Sequence, residues 1–95
     1  MRLDQFLKVS RIVKRRTQAK ELCDAEVVKV NGKPVKASKE IKEGDLVEID
    51  TITRYLKFQV LEIPREKNVS KKRSRELVKI LEDRKKDIRE IIDLI

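Results

Sequence analysis

Hydrophobic positions in the first quarter of the chain form two short helical stripes. Leu3, Phe6 and Leu7 recur at i, i+3, i+4, and Ala19, Leu22 and Cys23 repeat that spacing downstream. The pattern predicts one helix over residues 4–9 and a second that starts behind Thr17, a candidate N-cap, and ends near Asp24. Residues 10–16 link them, with Ile12 and Val13 as inward anchors. The period then shortens. Residues 27–30 read as a strand, and Asn31-Gly32 is a strong two-residue hairpin signal, with residues 33–35 leaving the turn. Residues 38–43 read as a loop and Gly44-Asp45 as a second turn. Residues 46–50 form a strand with Val47 and Ile49 on one face. Residues 55–63 form another, with Leu56, Phe58 and Val60 on one side, and Pro64 ends it.

Residues 65–76 are polar and basic and read as a linker. From Ser74 the apolar residues return to 3–4 spacing at Leu77, Leu81, Ile88, Ile91 and Ile95, which predicts an amphipathic helix over 74–95 with Glu82 and Lys86 as an i, i+4 pair. That stripe needs cover, either on the domain's own sheet or on a partner; self-packing is favoured because a small domain needs core. Helices followed by strands define an α+β domain over residues 1–63, with a basic linker and C-terminal helix over 64–95.

Charge sharpens this picture. The 95 residues carry a net charge of +8, unevenly spread. Residues 1–23 hold seven basic and two acidic groups, residues 24–66 eight against nine, and residues 67–95 ten against six. Basic ends around a near-neutral middle point to local anion-binding faces. A chain charged only for solubility has no need of Lys14, Arg15 and Arg16 in succession. The candidate RNA-binding residues are therefore Arg2, Lys8, Arg11, Lys14, Arg15, Arg16 and Lys20. Arg2 and Arg16, which flank the predicted helix pair, lead, and their replacement is expected to leave the fold intact. Asp4 is expected to cap the first helix or to orient a nearby arginine.

The remaining chemistry is sparse. There is no histidine, which removes the commonest general base and metal ligand, and the two glycines lie too far apart to cradle a phosphate. Cys23 falls on an apolar stripe and reads as a small core residue, and a single cysteine fits a reducing cytoplasm. No catalysis, metal or other cofactor is expected. No apolar run is long enough to span a bilayer, and the first residues lack a leader's apolar region. Of three aromatics, Phe6 and Phe58 fall on core faces, leaving Tyr55 as the one candidate stacking platform. Structured RNA held by phosphates and shape is thus a better target than a single strand.

Residues 2–7 (Arg-Leu-Asp-Gln-Phe-Leu), 15–22 (Arg-Arg-Thr-Gln-Ala-Lys-Glu-Leu), 28–32 (Val-Lys-Val-Asn-Gly) and Gly44-Asp45 resemble the S-four, or alpha-L, RNA-binding domain over roughly residues 1–63. The resemblance implies two helices packed on a small bent antiparallel sheet, with RNA along the helix pair. The unbroken run 2–17 and residues 35–38 (Val-Lys-Ala-Ser) are nearest a stand-alone bacterial branch that works in ribosome quality control. Membership of that branch implies binding to 23S rRNA and the large ribosomal subunit that still carries stalled peptidyl-tRNA, contact with the tRNA, support for alanine tailing of the nascent chain, and partnership with a tailing factor. The protein is expected to be a cytoplasmic monomer. Two alternatives stand beside this: a heat-shock-type recycling factor for free large subunits, and a protein-interaction module acting through the C-terminal helix. Enzymes that carry this domain add long synthase or methyltransferase modules, for which 95 residues leave no room. The family usually has glycine where this chain has Glu26; a left-handed backbone there costs about 1–2 kcal/mol for a residue with a Cβ.

Overall fold

The computed structural model describes residues 1–66 and 68–87. Helices α1 (Leu3–Val9) and α2 (Arg16–Asp24) pack side by side against one face of an antiparallel sheet. The sheet contains β1 (Val28–Val30), β2 (Lys33–Pro34), β3 (Leu46–Asp50), β4 (Arg54–Val60) and, after the one-turn helix α3 (Lys71–Ser74), β5 (Val78–Lys85), in the order β2-β1-β3-β4-β5. The α+β class and the helix pair on an antiparallel sheet are as the sequence predicts.

Alternation builds the core. Val28 and Val30, Val47 and Ile49, and Leu56, Phe58 and Val60 all point to the helix side and are buried. Leu3, Phe6 and Leu7 of α1 and Ala19 and Cys23 of α2 meet them. Phe6 stacks on Phe58 with ring centroids 6.5 Å apart and planes 20° from parallel. Ile12 and Val13 pack at the edge of this core, half-buried, as inward anchors of the interhelical link.

The ends of the helices are fastened by specific bonds. The first amides of α1 have no intrahelical acceptor; those of Leu3 and Asp4 donate to the carbonyls of Lys39 and Ala37, at 2.7 and 3.1 Å. At its C-terminus the Ser10 hydroxyl donates to the Phe6 carbonyl at 2.7 Å, and Arg11 turns the chain through the left-handed region with φ 60°. Helix α2 begins two residues earlier than a Thr17 cap would give. The Gln18 side-chain oxygen folds back to accept from the amides of Lys14 and Arg15, both at 3.2 Å, which makes Arg15 the N-cap. The helix ends in a Schellman motif: Glu26 N–H donates to Cys23 O and Val27 N–H to Leu22 O. Glu26 occupies the left-handed position of that motif, φ 61°, so the backbone expected of a glycine is kept without one.

Asn31 and Gly32, both at positive φ (52° and 84°), form the two-residue turn that pairs Val30 with Lys33. Asn31 also exchanges bonds with Leu46 and donates to Asp45, which docks the hairpin on the start of β3.

The C-terminal region departs from the helical pattern. Among the described residues only Lys71–Ser74 is helical there, with Ser70 accepting from the Arg73 amide as N-cap, and Arg73 clamped by both Glu62 oxygens at 2.5 and 2.7 Å. Beyond Leu77, which is fully buried, the chain runs as β5 along the whole of β4, so the described part of the helix predicted over 74–95 is corrected to a strand over 78–85. The physical reason is the edge of β4. Its amides and carbonyls would be left without strand partners, and β5 pairs them. The ladder carries a bulge beside Lys57 and Phe58: Glu82 pairs with Lys57 and Ile80 with Phe58, so Leu81 is the extra residue. The Glu82–Lys86 helical pair is absent; Lys86 instead pairs with Asp50, and Arg54 grips Asp83 through two bonds of 2.8 and 2.6 Å. The predicted strand over 55–63 ends at Val60, because β4 stops where Leu61 N–H turns to Leu77 O. The part of the predicted helix over 88–95 lies outside the described residues.

Candidate nucleic-acid interface

Asp4 is the centre of the basic surface. It sits in the first turn of α1 with 1% of its surface exposed, between the N-termini of the two helices. One oxygen accepts from the Gln5 amide at 2.8 Å, and the other accepts from Arg16 Nε at 3.1 Å and from an Arg2 terminal nitrogen at 3.4 Å. A single buried carboxylate therefore holds two guanidinium groups that are fourteen positions apart in sequence. Both arginine side chains remain about half exposed, at 46% for Arg2 and 47% for Arg16. Arg16 spends its Nε on Asp4, and its two terminal nitrogens have no protein partner among the described residues. That edge is the one that forms paired bonds to phosphate. The orienting role expected of Asp4 is the one it fills, towards both arginines.

Helical spacing extends the surface. Lys20 lies four residues beyond Arg16 on the same side of α2, a like-charge pair that slightly destabilises an isolated helix. Arg2, Lys20 and Lys36 line a groove of about 570 Å³ between α2 and the segment after β2, over a floor that includes Cys23 and Val35. Asp24 and Glu26 stand at the same groove. Lys36 was not among the candidates. It joins the site because the β1–β2 hairpin brings the chain back beside α2, and its only sequence signal is the run 35–38.

The other candidates gather elsewhere. Lys8, Arg11 and Lys14 line a smaller groove of about 250 Å³ with Asn68 and Val69. Arg11 donates to the Val69 carbonyl at 3.2 Å, so part of its fork is used within the protein. Arg15 is exposed at the N-cap of α2 and lines neither groove. The seven cations thus divide into Arg2 and Arg16 on Asp4 with Lys20 one turn beyond Arg16, Lys8, Arg11 and Lys14 at the end of α1 and along the interhelical link, and Arg15 between them in sequence.

Two other side chains settle what surrounds this surface. Cys23 is buried, and burial, helped by the charges of Asp4 and Asp24, pushes its thiol up to about 11, so it is protonated at neutral pH and not a nucleophile. Tyr55 is not an open stacking platform. Its hydroxyl donates to Glu48 at 2.7 Å, which with partial desolvation pushes it up to about 12, and the Arg84 guanidinium covers the ring 5.8 Å from its centroid. Among the described residues no three acidic, Cys or His side chains gather as a metal site requires, and no helix is long and apolar enough to cross a membrane.

The S4 domain family matches residues 1–47, the stretch that holds the helix pair, its Arg2–Asp4–Arg16 cluster and the first strands of the sheet. Proteins named RQC P-site tRNA stabilizing factor match over a longer stretch. That of Streptococcus pneumoniae R6 is 52% identical over 63 residues, 66% of this chain and 72% of that one. That of Bacillus subtilis 168 is 46% identical over 63 residues, covering 66% and 73%. That of Listeria innocua is 36% identical over 87 residues, 92% of each. The chain belongs to this family. Its fold is shared with the solution structure of the hypothetical protein HP1423 (TM-score 0.73, 36% identity, 84% of this chain and 95% of that one). It is also shared with Vibrio cholerae Heat Shock Protein 15 (TM-score 0.76, 21% identity, covering 84% and 80%).

Proposed function

We propose that this protein binds RNA through the Arg2–Asp4–Arg16 cluster and Lys20, and that its target is a P-site tRNA on the large ribosomal subunit during ribosome quality control. The observation that carries the reading is the buried Asp4, which holds two guanidinium groups in fixed directions on an exposed surface. Such a device suits paired phosphate oxygens, since a fixed fork loses little entropy when it binds them. The name shared by the relatives supports the tRNA as the target. On this reading Arg2, Arg16 and Lys20 hold one phosphate track, and Lys8, Arg11, Lys14 and Arg15 hold a second strand, from 23S rRNA or the tRNA itself. The protein acts as a cytoplasmic, non-catalytic monomer that steadies peptidyl-tRNA while a tailing factor extends the stalled chain with alanine.

Density-gradient sedimentation tests this. The protein should travel with free large subunits, more strongly when they retain peptidyl-tRNA, and Arg16→Ala should lose that association at the same stated salt concentration. Equal sedimentation of Arg16→Ala and the parent, together with loss of association on replacing Lys39 and Lys42, would place the RNA on the wrong face.

A further inference from the structure

The helical turn α3 sorts its basic residues by face. Lys71, Lys72, Arg73 and Arg75 crowd together in sequence. At about 100° per residue, Lys71, Arg75 and Lys72 share one side of the turn, and Arg73 and Ser74 take the other. Arg75, the C-cap, keeps helical angles (φ −68°, ψ −22°), so it stays on the first side. The second side faces the protein. Ser74 is buried and its hydroxyl donates to the Lys71 carbonyl at 2.7 Å. Arg73 holds Glu62 through two bonds and pairs with Glu76 and Glu66 at 3.1 and 3.7 Å. The carboxylates nearest the turn are thus taken up by one arginine. Lys71, Lys72 and Arg75 are exposed, and their side chains have no partner among the described residues.

The turn is fixed beside the interhelical link. Val69 packs on the core ahead of it, and Leu77 is fully buried behind it. Arg11 donates to the Val69 carbonyl at 3.2 Å, and Lys71 follows Val69 by two peptide units, about 7–8 Å of chain at most. Asn68 and Val69 line the same groove as Lys8, Arg11 and Lys14. No acidic residue lines it, whereas Asp24 and Glu26 share the groove beside Arg2. The ammonium groups of Lys8 and Lys14 also have no partner among the described residues.

We propose that Lys71, Lys72 and Arg75 extend the cations of the interhelical link into one phosphate-binding surface, so that the turn after β4 grips an RNA backbone together with Lys8, Arg11 and Lys14. This surface presupposes the RNA-binding reading above, and its added residues lie beyond the stretch 1–47 that the S4 family matches. An RNA backbone suits it because phosphates recur along a strand, as the free cations do along this surface. The buried anchors on either side hold the turn in place before RNA arrives, so little ordering is left for binding to oppose.

Salt titrations of the full chain against purified large-subunit rRNA, and separately against tRNA, test this. Replacing Lys71, Lys72 and Arg75 together by Gln should lower the slope of log affinity against log salt by about two to three on at least one of the two RNAs. Lys71→Arg with Lys72→Arg keeps the charge and should keep the slope; a lowered slope there would mean a disturbed turn and would overturn the proposal. Lys29, Lys57 and Lys79 lie on the outer face of the sheet. Their replacement by Gln removes the same charge and should leave the slope nearly unchanged. An equal drop would overturn the proposal in favour of summed charge. The parent's slope on both RNAs after the α3 replacement would overturn it too. Arg16→Ala tells the two readings apart: if it weakens binding while the α3 replacement does not, the α3 surface alone is refuted, and if neither weakens binding, the RNA-binding reading falls as well.

Discussion

At the scale of the residue, Asp4 separates charge from orientation. Asp4→Asn makes the protein more basic, so if summed charge governed RNA affinity, binding would strengthen. If the carboxylate's work is to aim Arg2 and Arg16, binding weakens instead, and the weaker binding is the expected outcome in a filter or sedimentation assay at fixed salt. Arg16→Ala is expected to cost about 1–2 kcal/mol of stability as well as affinity, because it removes a charge-assisted bond from a buried carboxylate, discounted for the half-exposed arginine. The sequence treats Arg16 as a solvated charge whose replacement leaves the fold intact; the Nε bond to Asp4 adds a modest stability cost to that expectation. Arg16→Lys should recover only part of the affinity, since an ammonium cannot both hold Asp4 and present a planar fork. Glu26 offers the opposite test. It keeps a left-handed backbone that glycine adopts freely, so Glu26→Gly should stabilise the fold by about 1 kcal/mol, read as a rise in melting temperature. An unchanged or lower melting temperature would show that the Glu26 side chain compensates for its backbone.

At the scale of the element, what the sequence reveals depends on how many faces an element buries. Helices α1 and α2 each bury one face, so their apolar spacing is legible, as is the alternation of β3 and β4. The hairpin is legible for a different reason, because Asn31 and Gly32 suit the positive φ of its turn. Strand β5 is an edge strand, exposed along nearly its whole length, and its bulge interrupts what alternation it has. With Ile80 and Leu81 both about half exposed, Leu77 and Leu81 imitate a helical stripe, and Glu, Lys, Arg and Leu favour a helix locally. Pairing with β4 overrides that preference. Lys36 was hidden for a related reason: its place beside Lys20 depends on the hairpin's return path, which a cluster of cations in sequence does not record. Amide hydrogen exchange distinguishes the two structures for residues 78–85. A strand on the edge of β4 protects its amides alternately, those facing β4 exchanging slowly and those facing solvent quickly, apart from the bulge at Leu81. Slow exchange at every consecutive amide from 78 to 85 would mean a helix and would refute the fifth strand.

At the scale of the whole molecule, the protein has unlike surfaces: a cationic face carried by the two helices, and a mixed outer sheet face where Tyr55 bonds to Glu48 and carries Arg84 over its ring. Only the first should feel salt strongly, because exposed phosphate contacts release counterions in proportion to their number. With the seven cations of the two tracks all on phosphates, affinity for large-subunit RNA or tRNA should fall log-linearly by about three orders of magnitude or more between roughly 50 and 200 mM salt. The slope also counts contacts. Removing the charge at Lys20 should reduce it by about one, as expected for a single phosphate contact, while removing the charges at Lys39 and Lys42 should leave it nearly unchanged. Replacing Asp4 with Asn should behave differently from either: the affinity falls but the slope changes little, because the arginines remain charged and lose only their aim. A flat salt response in the parent would mean that shape and apolar contact dominate. An Asp4→Asn protein with raised affinity and a steeper slope would mean that the cluster works by charge alone. Measured together on one RNA, the slopes and affinities of these variants separate the number of phosphate contacts from the precision with which the buried carboxylate directs them.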